Sequence, residues 1–116
     1  MTRWTKSERE RRKQVERGET VVSNLKLDHN LIAWAKKTNC YVYIGRPGRW
    51  GNPYPIREGC DRAQCIAKFR QYFAKKPDLH ERLASLKGKV LSCYCHPEPC
   101  HGHELVKYLA EFAVVS

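Results

Sequence analysis

The chain has 116 residues, a hydrophobic fraction of 41% and a formal net charge of +10. This length supports one hydrophobic core and leaves no room for a second. The apolar runs are too short to cross a bilayer and the segment after Met1 is not a signal peptide, so we expect a cytoplasmic protein with no membrane partner. In a reducing compartment, the six cysteines indicate thiols, metal ligands or reactive groups more than disulfides.

The positive charge is concentrated in the first half of the chain. Residues 1–17 contain seven Lys and Arg against three Glu, and residues 29–57 contain five and no carboxylate. Residues 61–116 are nearly balanced, with nine basic against six acidic residues. This distribution favours an anionic ligand such as a nucleotide or a nucleic acid, and solubility alone is the alternative explanation.

The first predicted element is a basic helix. Ser7 followed by Glu10 is a capping-box signature, and Gly18 is a natural stop, so we expect a helix over 8–17. This helix has one aliphatic residue, Val15, and therefore no face to bury. The pattern predicts a solvated basic arm.

Two short strands and a helix are predicted next. Residues 20–22 favour a strand, and Asp28 is placed to cap a helix over 29–38. Residues 40–44 are β-branched and aromatic, and Gly45 ends them, which predicts a second strand.

The second half of the chain predicts three helices around a third strand. Apolar residues at helical spacing follow the potential cap Asp61, and Pro77 suits the first turn of the next helix. The predicted segments are a helix over 62–75, a helix over 77–86, a strand over 89–94 and a helix over 101–113.

The order of these elements predicts the fold class. A strand–helix–strand connection favours parallel pairing of 40–44 with 89–94 through a right-handed crossover. We expect an α/β protein, a small Rossmann-like sheet with parallel strands and flanking helices. Residues 1–39 are assigned to a basic helical extension packing on the core, and residues 40–116 to the α/β domain. Parallel strands end at one edge, so the loops that follow them should meet where open α/β sheets bind ligands.

The first of these loops contains the segment RWGNPYPI, residues 49–56. Arg46 and Arg49 suit phosphate or carboxylate, Trp50 offers a stacking face, and Asn52 can read or brace an amide. Tyr54 completes the ligand-binding residues predicted for this loop. In the alternative interpretation Trp50 plugs the loop into its own domain and Asn52 bonds to the backbone, and one loop can do both.

The second loop contains three cysteines and three histidines between residues 93 and 103. One interpretation places Cys100 and His101 at a helix N-terminus, which lowers the pKa of a thiol. Cys100 would then be a nucleophile and His101 an acid, base or ligand holder, and Gly102 would let a ligand approach the backbone.

Two alternatives remain for this cluster. Zinc is one, with Cys93, Cys95, Cys100 and His101 as ligands. Strand residues two apart lie about 7 Å apart, whereas sulfurs on one zinc lie nearer about 4 Å, which counts against Cys93 and Cys95 chelating together. The other alternative is a helix cap with packed thiols, in which Cys93 shares a buried face with Leu91.

Together these motifs resemble a known family. The stretches IGRPGRWGNPYPI and LKGKVLSCYCHPEPCHGHEL are similar to the uncharacterised domain-of-unknown-function 4326 family of bacterial and phage proteins. The resemblance covers about residues 42–110 and implies a site without an established reaction. Relatives commonly carry Asp where this chain has His103. The matching positions are Arg46, Trp50, Gly51, Asn52, Pro53, Tyr54, Cys93, Cys95, Pro97, Pro99, Cys100, His101 and Gly102.

Three functions follow as hypotheses. The first is a ligand-binding site for a nucleotide or nucleic-acid component, with catalysis by Cys100 and His101 as its extension. The second is a non-enzymatic nucleic-acid-binding module with a structural zinc. The third is a phage or host interaction module whose basic arm, residues 1–17, docks an acidic protein. The sequence requires no cofactor and does not decide between binding and catalysis.

Overall fold

A computed structural model of the chain describes residues 3–45, 49–53, 59–94 and 100–115, with the side chains of 112–115 excepted. Helices and strands follow one another along these residues, with two α-helices and a 3-10 helix between the last two strands. They are α1 (Lys6–Glu16), β1 (Val21–Asn24), α2 (His29–Lys37), β2 (Tyr41–Tyr43), α3 (Arg62–Ala74), α4 (Pro77–Arg82) with the 3-10 helix Leu83–Leu86 after it, β3 (Val90–Cys93) and α5 (His101–Val115).

The three strands form one parallel sheet in the order β1-β3-β2. Val90 of β3 pairs with Val21 of β1 on one side and with Tyr41 of β2 on the other. The predicted parallel pairing of the second and third strands is confirmed, and the α/β fold class with it. The central strand β3 comes after both edge strands in the sequence.

The two faces of the sheet are covered by different helices. Val21 and Val90 pack with Val15, Leu31 and Ala35 of α1 and α2. The intervening strand residues point to the other face, where the core is formed with α3, α4, the 3-10 helix and α5. Its buried members from the strands and these helices are Val22, Leu91, Cys93, Phe69, Phe73, Leu79, Leu83, Leu86 and Leu105. No helix of the described residues is long and apolar enough to span a membrane.

Most predicted helix ends agree with the structure. The predicted cap Asp61 accepts a hydrogen bond from the backbone N–H of Gln64, whose side chain accepts from the Asp61 N–H in return. Pro77 opens α4 as predicted, but the last predicted turn is the 3-10 helix from Leu83. Its two leucines still point inward, because i and i+3 lie on one side of a 3-10 helix.

The prediction that α1 is a solvated arm is wrong. The helix begins two residues earlier than predicted, with a capping box between Thr5 and Glu8. Glu8, Arg11 and Val15 are buried against the sheet and α2. The sequence pattern misled because two of these three side chains are charged, and hydrophobic periodicity counts neither of them as a buried residue.

The buried charges of α1 are paired with α2 and β1. Arg11 donates two hydrogen bonds to the Asp28 carboxylate, at 2.7 and 2.9 Å, and a third to the Val22 carbonyl at 2.8 Å. The Asp28 side chain also accepts from the Asn24 N–H, and it does not cap α2 as predicted. Glu8 from the neighbouring helix does so instead, accepting from the Leu31 N–H at 2.9 Å.

Segment 1–39 thus contributes the edge strand β1 and the helix α2 to the layers around the sheet. The division of the chain between residues 39 and 40 stays a prediction.

Removing the Arg11 guanidinium should destabilise the fold strongly. Arg11→Ala leaves the Asp28 carboxylate buried without its partner, which costs about 3–5 kcal/mol. Urea unfolding followed by circular dichroism measures the loss. The matched control is Lys13→Ala on the exposed side of the same helix, expected within about 0.5 kcal/mol of wild type. Equal effects of the two substitutions would contradict the role given to the buried pair.

Candidate functional site

The two loops that follow β2 and β3 meet at the carboxyl edge of the sheet. The imidazole Nε2 of His101 donates to the carbonyl of Ile44, the residue after β2, at 2.6 Å. Trp50, Cys93 and Cys100 lie in one buried cluster with Ile44. The predicted meeting of the tryptophan-bearing and the thiol-bearing segments is therefore observed.

Trp50 belongs to the hydrophobic core, since only 7% of its surface is exposed. Asn52 donates its side-chain N–H to the Cys65 carbonyl at 3.2 Å, which ties the loop to the first turn of α3. These contacts are the ones expected if Trp50 packs the loop into its own domain. They leave the indole little surface for stacking on a ligand. Arg49 is exposed beside them. Arg46 and Tyr54 lie outside the described residues.

Cys100 and His103 cap the start of α5. The His103 N–H donates to the Cys100 carbonyl at 3.1 Å. The Cys100 N–H donates to Nδ1 of His103 at 3.1 Å, which is one of the two hydrogen bonds of a capping box. Asp, the residue that the family resemblance implies at position 103, would supply the same acceptor. The structure thus contains the helix cap of the alternative in which the cluster is a helix cap with packed thiols.

The packed thiols of that interpretation are also present. The sulfurs of Cys93 and Cys100 lie 3.6 Å apart, and each residue is 4% exposed. The hydrogen bond with the Cys93 side chain and burial of the thiol both raise the pKa of Cys100. Together they outweigh the backbone N–H groups at the start of α5, which lower this pKa. The predicted lowering is therefore wrong in direction. The catalytic role of Cys100 and His101 is not tested by these contacts and stays a prediction.

Gly102 is explained by packing. A Cβ atom built on it would lie 2.7 Å from a methyl carbon of Ile44 and 3.3 Å from one of Val22. The missing side chain lets the first turn of α5 approach the ends of two strands. The protein fills the space on the Cβ side of Gly102, and the approach of a ligand to its backbone stays a prediction.

Of the four ligands in the zinc alternative, the structure describes Cys93, Cys100 and His101. Within the described segments, no three His, Cys, Asp or Glu side chains are grouped as metal ligands. Cys95 lies outside them. His101 uses its Nε2 on the Ile44 carbonyl, and its ring packs edge-on against Phe69 with centroids 5.2 Å apart. The four-ligand zinc set stays a prediction.

The strand order places a second feature at the same edge. The chain passes from β1 to α2 on one face of the sheet and from β3 to α5 on the other. Neighbouring strands whose connections leave to opposite faces open a crevice between their carboxyl ends, and open α/β sheets bind ligands there. In this chain that rule points to the position between β1 and β3, which we call the β1–β3 crevice.

The residues at this crevice were missed by sequence reasoning. Tyr94, the residue after β3, is 58% exposed, and Leu27, three residues after the end of β1, is 62% exposed. The ammonium of Lys26 lies 5.8 Å from the Tyr94 ring centroid. Asn24 donates its side-chain N–H to the Tyr94 carbonyl at 3.1 Å, which joins the two strand ends. We define Asn24, Lys26, Leu27 and Tyr94 as the crevice residues.

One signal for Tyr94 was present in the sequence. In a strand with Leu91 and Cys93 facing inward, residue 94 points the other way and stands at the exit of the sheet. Lys26 and Leu27 carried no comparable signal, because their role depends on β1 lying next to β3 and not next to β2.

A separate cavity of about 540 Å³ lies at the opposite edge of the sheet. Thr20, Leu83, Lys87 and Leu109 are among the residues that line it. None of the predicted site residues that the structure describes lines it.

Comparison with known proteins places the chain in a family. The model of a domain of unknown function, DUF4326, matches residues 29–111. The chain belongs to the DUF4326 family. It is also 34% identical over 70 residues to a protein of Enterobacteria phage T4 described as an uncharacterized 12.4 kDa protein in the nrdA-td intergenic region. That match covers 57% of this chain and 64% of the phage protein, and no solved structure matches the chain significantly.

The limits of the DUF4326 match divide the site. Trp50, Cys93 and the start of α5 lie within residues 29–111, whereas β1, α1 and the Arg11–Asp28 pair lie before them. This DUF4326 chain therefore builds one side of the β1–β3 crevice from residues outside the family match.

Removing the Trp50 side chain should cost stability, because its ring fills core volume. We expect Trp50→Ala to lower the free energy of unfolding by about 3–5 kcal/mol and Trp50→Phe to lower it less. Arg49→Ala in the same loop is the exposed control and should change stability by less than about 0.5 kcal/mol. Urea denaturation measures all three. A Trp50→Ala protein as stable as wild type would mean that the ring is not a core residue.

Stability should fall in mild acid through His103. Burial lowers the pKa of His103, so folding favours its neutral form, which accepts from the Cys100 N–H. A depressed histidine pKa gives stability that is fully present above the unfolded value of about 6.5 and is lost as the pH falls below it.

His103→Gln keeps a capping acceptor without titrating, and should therefore remove this part of the pH dependence. Melting temperatures of both proteins between pH 5 and pH 8 provide the measurement. His29→Gln, at an exposed position, is the matched control and should leave the acid loss in place. If the melting temperature of His103→Gln falls in acid as much as that of wild type, the loss of stability is caused by groups other than His103.

Proposed function

We propose that this protein binds the phosphate and base of a nucleotide or of a short single-stranded nucleic acid at the β1–β3 crevice. The observation that carries the proposal is the pairing of an exposed aromatic ring, Tyr94, with the cation Lys26 at the carboxyl edge of a parallel sheet. A base stacks on such a ring irrespective of its sequence, and an ammonium group beside the ring suits the phosphate.

The charge of the chain supports an anionic ligand. The formal net charge is +10, and Arg49 adds an exposed guanidinium on the loop that follows β2. A field of this sign raises the local concentration of nucleotides and speeds their association. The proposal keeps the ligand class inferred from the sequence and moves the stacking role from Trp50 to Tyr94.

The contacts of the cysteine cluster favour binding over catalysis. Cys100 is buried, it caps α5, and its thiol is held protonated by burial and by the neighbouring Cys93. His101 is bonded to a backbone carbonyl through Nε2. Both residues therefore have a structural role that explains their presence. The proposal assigns no reaction to them.

The crevice residues are held in place by the buried network of α1. Asp28 binds Arg11 and the Asn24 N–H, and the Asn24 side chain holds the Tyr94 carbonyl. A rigid support of this kind lowers the entropy that a ligand must give up on binding. It also explains how a basic N-terminal segment contributes to the site without contacting the ligand.

Fluorescence anisotropy with two probes tests the proposal. The probes are a fluorescein-labelled single strand of about 12 nucleotides and a fluorescein-labelled adenosine nucleotide. Tyr94→Ala should weaken binding of the preferred probe roughly tenfold, because it removes the stacking surface, and Tyr94→Phe should retain it. Lys26→Gln should reduce the salt dependence by about one phosphate contact.

Lys13→Gln is the charge control, because it removes one exposed positive charge on α1 that is not among the crevice residues. It should leave affinity for either probe close to that of wild type. Absence of saturable binding of both probes at low salt would overturn the proposal. Equal affinities of Tyr94→Ala and wild type would overturn the assigned surface.

A further inference from the structure

We infer that Cys93 and Cys100 form a reversible disulfide that closes the base of the loop between β3 and α5. The two residues are the last of β3 and the one before α5, and their sulfurs lie 3.6 Å apart. Residues 94–99 lie between them. This proposal does not depend on nucleotide binding.

The reduced pair is arranged for bond formation. Both sulfurs are in the thiol form and in mutual contact, so a bond requires an approach of about 1.6 Å to reach a disulfide length of about 2.0 Å. The two thiols come from different elements, a strand end and a helix cap, that are already packed in one core cluster.

The oxidant is a low-molecular-weight disulfide such as oxidised glutathione. One cysteine thiolate attacks this disulfide, forms a mixed disulfide and releases one glutathione thiolate. The second cysteine then attacks the protein-side sulfur of the mixed disulfide and releases the second glutathione. The protein loses two electrons and two protons, and one oxidised glutathione becomes two reduced ones.

The rate of this exchange should depend on pH. The attacking group is a thiolate, and a cysteine with the reference pKa of about 8.5 is mostly in the thiol form near neutrality. Below the pKa, the thiolate fraction rises roughly tenfold for each pH unit. Oxidation should accordingly be slow at pH 7 and faster at pH 9.

A second thiol pair must be distinguished from the first. The sulfurs of Cys60 and Cys65 lie 2.8 Å apart at the start of α3, within its first turn and the residues before it. This pair does not span the base of a loop. Trypsin separates the two pairs, because residues 90–107 form one peptide that excludes Cys60 and Cys65.

The experiment uses the full chain carrying Cys95→Ser, so that peptide 90–107 retains two cysteines. The protein is equilibrated with oxidised glutathione, alkylated, digested and measured by mass spectrometry. We expect the peptide to lack both alkyl groups and two hydrogen atoms, and dithiothreitol to restore both alkylation sites. The oxidised protein should also melt at a higher temperature, because a cross-link constrains the unfolded chain.

Cys93→Ser and Cys100→Ser, each added to the Cys95→Ser chain, are the matched controls. Neither should show the loss of two hydrogens in peptide 90–107. Complete alkylation of both cysteines in the Cys95→Ser chain after equilibration at pH 9 would overturn the proposal. Loss of the two hydrogens in either control would also overturn it, since one cysteine cannot form the bond.

Discussion

The parallel pairing of β3 with both of its neighbours determines where the features of this molecule are placed. Because all three strands run the same way, their carboxyl ends lie at one edge. The parallel direction of the strands therefore brings three features to this edge. They are the Trp50 loop, the Cys100–His103 cap and the crevice residues. The hydrogen bond from His101 to the Ile44 carbonyl joins the start of α5 to the end of β2 and closes this arrangement.

A second constraint is the burial of charge beneath β1 and α2. Arg11 and Asp28 are about 10% exposed at the side chain, and each has its hydrogen-bonding groups directed at backbone as well as at the other. Such a pair specifies one packing of α1, because any shift leaves a charge without its partner in the interior. Beyond the residues of the family match, the chain therefore adds a segment that is integrated into the fold and that supports the crevice.

The fold was largely predictable from local patterns, whereas the site was only partly so. Helical spacing of Phe69 and Phe73 and the strand–helix–strand order were local signals, and the structure confirmed them. The burial of Glu8 and Arg11 was not predictable, since it depends on partners that are distant in the sequence. Trp50 illustrates the remaining difficulty, because an aromatic residue in a loop has the same appearance whether it stacks on a ligand or fills the core. Burial decides between these roles, and burial is a property of the folded chain.

The shortness of the outer strands has a consequence for the behaviour of the protein in concentrated solution. β1 has four residues and β2 has three, and both are at the margins of the sheet. A neighbouring molecule that added its own strand there would gain few main-chain hydrogen bonds, and the ammonium of Lys36 above the Tyr41 ring places a charge in its path. Aggregation by strand addition is thus disfavoured by the geometry of the sheet.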